Sequence, residues 1–178
     1  SGVSTDTGTL RIGGDLSVAS GANLALNLKT SGNHGLNATF DPITNLLTSV
    51  SGTSTDGGND RLIVGGAFGL DAASSITVTL GSGAVLGYQD TFDLLDWSGV
   101  DIPLAYYDNG DGLRTGGTAD NALWNLDLPD LTAFNAGWIW DVSQFGSTGI
   151  IAIVPEPSRA VLMLVGVAGL MLRRRRRA

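Results

Sequence analysis

The 178-residue chain has no cysteine and a single histidine, His34. Without thiols there is no disulfide framework, no thiolate metal site and no cysteine nucleophile, and cysteine usage says nothing about the compartment. One histidine leaves little from which to build an ordinary zinc site or a Ser-His-Asp arrangement. Glutamate is missing from residues 1–154, where sixteen aspartates face four bases (Arg11, Lys29, Arg61 and Arg114) for a formal charge of −12. Residues 155–178 reverse the sign, with six arginines against Glu156 for +5, and together they give the net −7. So acidic a body cannot neutralise phosphates, which argues against a nucleic-acid partner. Charged residues amount to only 15%, a balance that suits an exported chain made soluble by small polar groups. No apolar leader precedes the body, so Ser1 is read as a mature start or as the first residue of a fragment.

Glycine is abundant, with 26 residues, and together with Asn, Asp, Ser and Thr it implies frequent turns rather than long helices. Between the turns, apolar residues recur with a period of two, which places them on one face of short strands. Leu10 and Ile12 lead into Gly13-Gly14, followed by Leu16 and Val18, then Ala22, Leu24, Leu26 and Leu28. Leu36, Ala38 and Phe40 continue the alternation before Pro42, and Ile43 to Val50 fits a short helix or a strand. The opening pattern returns fifty-two residues later as Leu62, Val64, Gly65-Gly66, Phe68, Leu70, Ile76, Val78 and Leu80. Ahead of both copies, Gly2-Val3-Ser4-Thr5-Asp6 matches Gly52-Thr53-Ser54-Thr55-Asp56 at an offset of fifty. Repetition of this kind predicts stacked strand units. The period exceeds one ordinary coil, so it predicts two or more coils, or a hairpin-containing unit in a sandwich.

The texture changes after Val85. Phe92 with Leu94, Ile102 with Leu104 and Tyr106, Trp124 with Leu126 and Leu128, Trp138 with Trp140 and Val142, and Ile151 with Ile153 each read as strands. All four tryptophans (Trp97, Trp124, Trp138 and Trp140) fall in this half. Large aromatics gathered at one end of a small-residue stack predict a cap over otherwise exposed core and strand edges; the competing reading is a sugar-stacking platform. The expected fold is therefore all-β: a β-solenoid body of parallel β-helix type over 1–154, repeat-like over 5–87 and capping over 88–154, with a β-sandwich as the alternative.

Candidate chemistry in the body is sparse. Asp93 with Asp96, and Asp127 with Asp130, are the carboxylate pairs that a glycosidase or lyase would need to place across a cleft, yet both flank strand ends where aspartate commonly turns the chain. Asp108, Asn109 and Asp111, and likewise Asp56, Asn59 and Asp60, offer hard oxygen ligands of the kind calcium takes; without a terminal glutamate they are better explained as solvated turns. His34, between Asn33 and Gly35, reads as a loop residue. Gly13-Gly14 and Gly65-Gly66 lack the Lys-Ser/Thr sequel of a phosphate loop. No catalytic residue, metal ligand or cofactor is expected.

The tail is the most specific feature. Pro155-Glu156-Pro157-Ser158 ends the last strand, because each proline removes a donor and disfavours helix upstream. Ala160 to Leu172 is an unbroken run of thirteen apolar or glycine residues. As a helix it would reach about 20 Å, short of a ~30 Å hydrocarbon core. The block Arg173, Arg174, Arg175, Arg176 and Arg177 then sits where cytoplasmic headgroups would hold it, and Arg159 could snorkel at the opposite edge.

Motif, apolar helix and terminal arginine cluster, in that order, resemble the PEP-CTERM sorting signal of Gram-negative bacteria. The resemblance implies an exosortase substrate, held transiently in the inner membrane with its arginines inside, cleaved near the Pro-Glu-Pro motif and delivered to the cell surface or extracellular matrix and its biofilm. Two departures stand out: the apolar span is short, and Arg159 occupies a place where an uncharged residue is usual. The body resembles, more loosely, autotransporter-associated β-strand repeats, through Leu10-Arg11-Ile12-Gly13-Gly14-Asp15-Leu16-Ser17-Val18 and Leu62-Ile63-Val64-Gly65-Gly66. Thr91-Phe92-Asp93-Leu94-Leu95-Asp96-Trp97 and Leu126 to Ile153 resemble the module that often precedes the sorting signal. The expected function is a non-catalytic structural protein of the cell surface or matrix, with a carbohydrate-binding or carbohydrate-processing domain as the alternative. Exopolysaccharide and self-association are the further candidate partners.

Overall fold

The computed structural model describes residues 7–52, 54–55 and 58–156. Of the residues singled out above, Ser1, Gly2, Val3, Ser4, Thr5, Asp6, Thr53, Asp56, Pro157, Ser158, Arg159, the span 160–172 and Arg173, Arg174, Arg175, Arg176 and Arg177 lie outside those described. The described chain is all-β, with a few single helical turns.

The chain makes a first pass of three short strands, β1 (Thr9–Ile12), β2 (Leu16–Val18) and β3 (Asn23–Leu28), and then an excursion through the hairpin β4 (Leu36–Phe40) and β5 (Leu47–Gly52). A second pass follows as β6 (Arg61–Val64), β7 (Phe68–Leu70) and β8 (Ser75–Leu80). Strands within a pass do not pair with one another. Each instead lies parallel to its equivalent in the other pass: Leu10 opposite Leu62, Leu16 opposite Phe68 and Leu24 opposite Ile76. The fifty-two-residue offset is thus the pairing register itself. A slip of one residue would turn every apolar side chain outward, so the interior pattern enforces this register.

One interval of fifty-two residues corresponds to a single pass, not two, because the β4–β5 hairpin is inserted into it. Without such an insertion the next return is shorter. β10 (Leu95–Asp96), which follows β9 (Thr91–Asp93), adds to β6 with Leu95 opposite Leu62, thirty-three residues on. The third sheet is also extended: beyond β11 (Leu113–Arg114), β12 (Leu126–Asp127) joins β8 with Leu126 opposite Ile76. The stretch from 88 onward therefore contributes third strands to two of the parallel sheets.

Its remaining strands form a separate antiparallel sheet in the order β11, β13 (Trp138–Asp141), β14 (Ile150–Pro155), β9. In β14 both faces are covered, which explains its unbroken apolar sequence. Ile151 and Ile153 join the main core, while Ile150 and Ala152 pack under the hairpin against Leu36 and Leu47. The hairpin is pinned there from far along the chain, since the buried Asp141 carboxylate accepts the Leu47 N–H at 2.6 Å.

The main core runs from Leu26, Leu28, Val64 and Val78 through Leu62 and Ile76 to Leu94, Leu126, Leu131, Trp140 and Phe145. On the outer face of the third sheet, polar side chains join β3 to β8: Thr79 donates to Asn27 at 2.7 Å, and Ser75 to Asn23 at 3.2 Å. At the turn between β6 and β7 the two passes touch backbone to backbone. A Cβ on Gly66 would fall 2.1 Å from Asp15 Oδ1 and 2.9 Å from its backbone nitrogen, so no larger residue fits. Asp15 in turn accepts the Ala67 N–H at 2.8 Å.

Two local expectations are corrected. Ile102, Leu104 and Tyr106 do not form a strand: Pro103 starts a 3-10 turn over Leu104–Tyr106, in which Tyr106 N–H reaches Pro103 O and Tyr107 N–H reaches Leu104 O, both at 3.0 Å. Pro103 lacks the N–H a ladder would use, and its fixed φ suits the turn. Over Ile43 to Val50, neither a continuous helix nor a continuous strand forms. Asp41 accepts the N–H groups of Ile43 and Thr44 in a turn, and β5 begins only at Leu47.

Candidate functional site

The aspartates that composition offered for chemistry are spent on backbone. Asp108 Oδ2 accepts N–H groups from Gly110 (3.0 Å) and Gly112 (2.7 Å); Asn109 accepts from Asp111, and Asp111 from Leu113. The loop is a relay of side-chain-to-backbone turns, while Asp108 Oδ1 is buried without a hydrogen-bond partner. Among the described residues no group of three acidic or histidine side chains is placed to hold a metal ion. Asp60 closes a corner, accepting Gly8 N–H at 2.8 Å and Asn27 N–H at 2.9 Å, which ties the start of β1 to the end of β3. Its neighbour Asn59 is buried and donates to the carbonyls of Asp60 and Asp93.

Of the two carboxylate pairs, only one is brought together. Asp127 lies within 3.1 Å of the Thr77 hydroxyl on the sheet, whereas Asp130 caps the turn that begins at Leu131 by accepting Thr132 N–H. The hydrogen bonds Asp130 accepts lower its pKa. Asp93 and Asp96 do converge, but on a base: Arg61 Nη2 sits 2.8 Å from Asp93 and 3.3 Å from Asp96. Asp93 is buried, and desolvation pushes its pKa up to about 6 against the pull of Arg61, with Asp96 adding repulsion. Arg61 Nε is buried without a hydrogen-bond partner. This is an ion cluster at the junction of β6, β9 and β10, with both carboxylates on one guanidinium rather than on two sides of a cleft.

Arg114 is a buried base. Its guanidinium donates to Asp120 at 2.7 Å, to the Tyr107 carbonyl at 2.6 Å and to the Leu126 carbonyl at 3.1 Å, and it lies 5.3 Å from the Trp124 ring centroid. It thereby fastens the antiparallel sheet to β12, the last strand of the parallel stack. Burial lowers its pKa and Asp120 opposes the shift. No sequence signal announced either arginine, since a partner thirty or more residues away, or a set of carbonyls, leaves no local pattern.

The tryptophans sit in the same region. Trp140 is fully buried, with its Nε1 donating to Pro129 O, and its ring meets Phe92 edge-on at 6.3 Å. Trp97 and Trp138 pack against the main core, and Trp97 lies 6.0 Å from Phe68. Trp97, Trp124 and Trp138 are half-buried, and no tryptophan is among the exposed large hydrophobics of the described residues. His34 is a half-buried loop residue with φ +45, its ring 5.7 Å from Phe92 and its Nε2 3.1 Å from Thr30 O.

Two features are left at the ends of the body. At the carboxyl end β14 continues to Pro155, opposite Trp138, and Glu156 N–H donates to Gly137 O at 2.8 Å. Ordered pairing thus reaches into the Pro-Glu-Pro motif. At the opposite end, β1, β2 and β3 are the outermost strands of their sheets. Between them open two apolar grooves of about 330 and 380 Å³, which share Leu10, Leu24 and Leu62. No helix among the described residues is long and apolar enough to cross a membrane. Comparison with protein-family models, with curated proteins and with solved structures finds no match for the chain.

Proposed function

We propose that this chain is an exported, non-catalytic structural protein of the bacterial cell surface or extracellular matrix, with a short parallel β-solenoid body and a sorting tail of PEP-CTERM type. The observation that carries the reading is the order of the tail's parts in the sequence: Pro155-Glu156-Pro157, then thirteen apolar or glycine residues, then five arginines. All of β13 and β14 lies before Glu156, so a cut next to Pro155–Glu156 would leave these strands and the core of the described residues in one piece. The charge division has the same boundary: −12 before Pro155 and +5 from it onward. Removal of the basic segment would leave a strongly acidic product with no cation cluster to hold it at anionic headgroups.

The solenoid reading is supported by the in-register parallel pairing of three successive strands with their equivalents in the next pass. The structural role is supported by the use of aspartates as turn and corner fasteners and of aromatics as filling. An exosortase would act on the precursor in the inner membrane, and exopolysaccharide is the matrix component such a product would meet.

The test is to express the full chain in its native host with Arg173, Arg174, Arg175, Arg176 and Arg177 replaced by serine, and to follow membrane and external fractions beside the wild type. The proposal expects the variant to be held back or processed slowly, with the body itself folded. Equal delivery of variant and wild type to the exterior would refute it.

A further inference from the structure

Pro155 and Glu156, the first two residues of the Pro-Glu-Pro motif, belong to the antiparallel sheet. Just before them, Ile153 and Val154 are fully buried, at 0% exposure each. Ile153 is bonded to the stretch that leads into β9: its N–H donates to Asp90 O and its carbonyl accepts the Gln89 N–H, both at 2.9 Å. Along β13 the pairing runs Ile153 opposite Trp140, Val154 opposite Ile139 and Pro155 opposite Trp138. Glu156 extends that ladder through its bond to Gly137 O at 2.8 Å. Gly137 is itself held, since its N–H reaches Asn135 Oδ1 at 2.9 Å. In an antiparallel ladder successive residues turn their N–H and C=O groups to opposite sides. Val154 and Glu156 therefore face β13, and Pro155 faces away from it, so the N–H that proline lacks costs this ladder nothing.

An enzyme that cuts a chain takes the residues before the bond as an extended strand along its own cleft, through the main-chain groups that a sheet also uses. For a cut next to Pro155–Glu156 those residues are Ile153, Val154 and Pro155. The body already uses them: β13, Gln89 and Asp90 hold the backbone, and both aliphatic side chains are buried. Sheet and enzyme compete for one segment of chain. Freeing Glu156 gives up one hydrogen bond, and freeing Val154 also exposes a buried side chain.

We propose that the folded body restrains its own processing: β13 holds Val154 to Glu156 in the sheet, and the enzyme cuts only when the end of β14 leaves it. This rests on the proposed sorting role of the tail. In the cut a peptide C–N bond breaks, water supplies the new carboxylate oxygen and the tail leaves as an amine. The sheet governs how often that bond is presented, and stability at the end of β14 thereby sets the rate of release.

The absence of cysteine allows a reversible clamp. Ile139 and Val154 stand directly opposite one another, a spacing that a disulfide can span. Pulse-chase in the native cells follows conversion of precursor to shortened external product by mass. Wild type is compared with the double variant Ile139→Cys, Val154→Cys and with a chain carrying Gly-Ser-Gly-Ser inserted between Val154 and Pro155. The insertion moves the intact motif past Gly137, and the clamp leaves the motif unaltered. The proposal expects the insertion to speed conversion about tenfold or more, the scale of one hydrogen bond and one buried valine. The oxidised clamp should slow it by a similar factor, and the same variant reduced with dithiothreitol should convert at least as fast as wild type. Thiol titration checks the clamp, and circular dichroism of the purified proteins checks that each body is folded. Conversion at the wild-type rate by the insertion variant or by the oxidised clamp overturns the proposal and leaves the sorting role standing. A wild-type chain that is never shortened overturns both.

Discussion

Leu10, Leu62 and Leu95 occupy one position in three successive strands, directly opposite one another in register. They are the same residue type, and only their depth in the stack differs: 60%, 1% and 1% exposed. Truncation to alanine should therefore give a graded result that no other arrangement of these segments produces. For Leu62 and Leu95 the lost transfer energy is joined by a cavity between close-packed neighbours, and each should cost about 2–5 kcal/mol. For Leu10 less than half the side chain is covered and its surroundings can collapse onto the gap, so the cost should be about 1 kcal/mol or less. Urea unfolding followed by tryptophan fluorescence, to which buried Trp140 contributes, gives the three values. Equal costs at Leu10 and Leu62, or no loss at Leu62, would refute the stacking register.

Two further outcomes concern the buried charges. Asp93 has its pKa raised to about 6 from 3.8, so the folded state holds this proton more tightly than the unfolded one. Stability from this group is complete below about pH 4, falls as pH rises towards 6 and is flat above, a loss of about 3 kcal/mol; Asp93→Asn should abolish that slope, as denaturant titrations at pH 4, 5, 6 and 7 would reveal. Arg114→Met strands the Tyr107 and Leu126 carbonyls and the Asp120 carboxylate, at a cost of about 3–5 kcal/mol. Arg114→Lys should recover only part, because an ammonium cannot span that set of acceptors; thermal unfolding of both variants tests this.

The parts of the fold that were legible are those in which one residue's neighbours in sequence fix its direction. Leu10 to Leu28 and Leu62 to Leu80 alternate with period two and share the Gly-Gly mark, so the fifty-two-residue repeat was visible, but its length suggested two or more coils or a hairpin-containing sandwich unit rather than the direct pairing of Leu10 with Leu62. The hairpin inside that interval was not legible as an insertion, because what holds it is Asp141, ninety-four residues from Leu47. The stretch from Ile102 to Tyr106 misled for a local reason: its apolar spacing is that of a strand, but Pro103 removes the donor and sets the turn. For the chemistry, Asp93 and Asp96 could be singled out as a pair, while Arg61, which reverses their meaning, lies thirty-two residues from Asp93. The clustering of tryptophans was visible; their burial depends on Pro129, Phe92 and Phe68, which sequence spacing does not bring together.

The central proposal is that the chain is a precursor cut next to its Pro-Glu-Pro motif. Intact-mass spectrometry of the protein recovered from the medium and outer surface of its native cells tests it most directly. A carboxyl terminus close to Pro155, with the segment through Arg177 removed, is the predicted result; soluble external protein that retains residues 157–178 would contradict it.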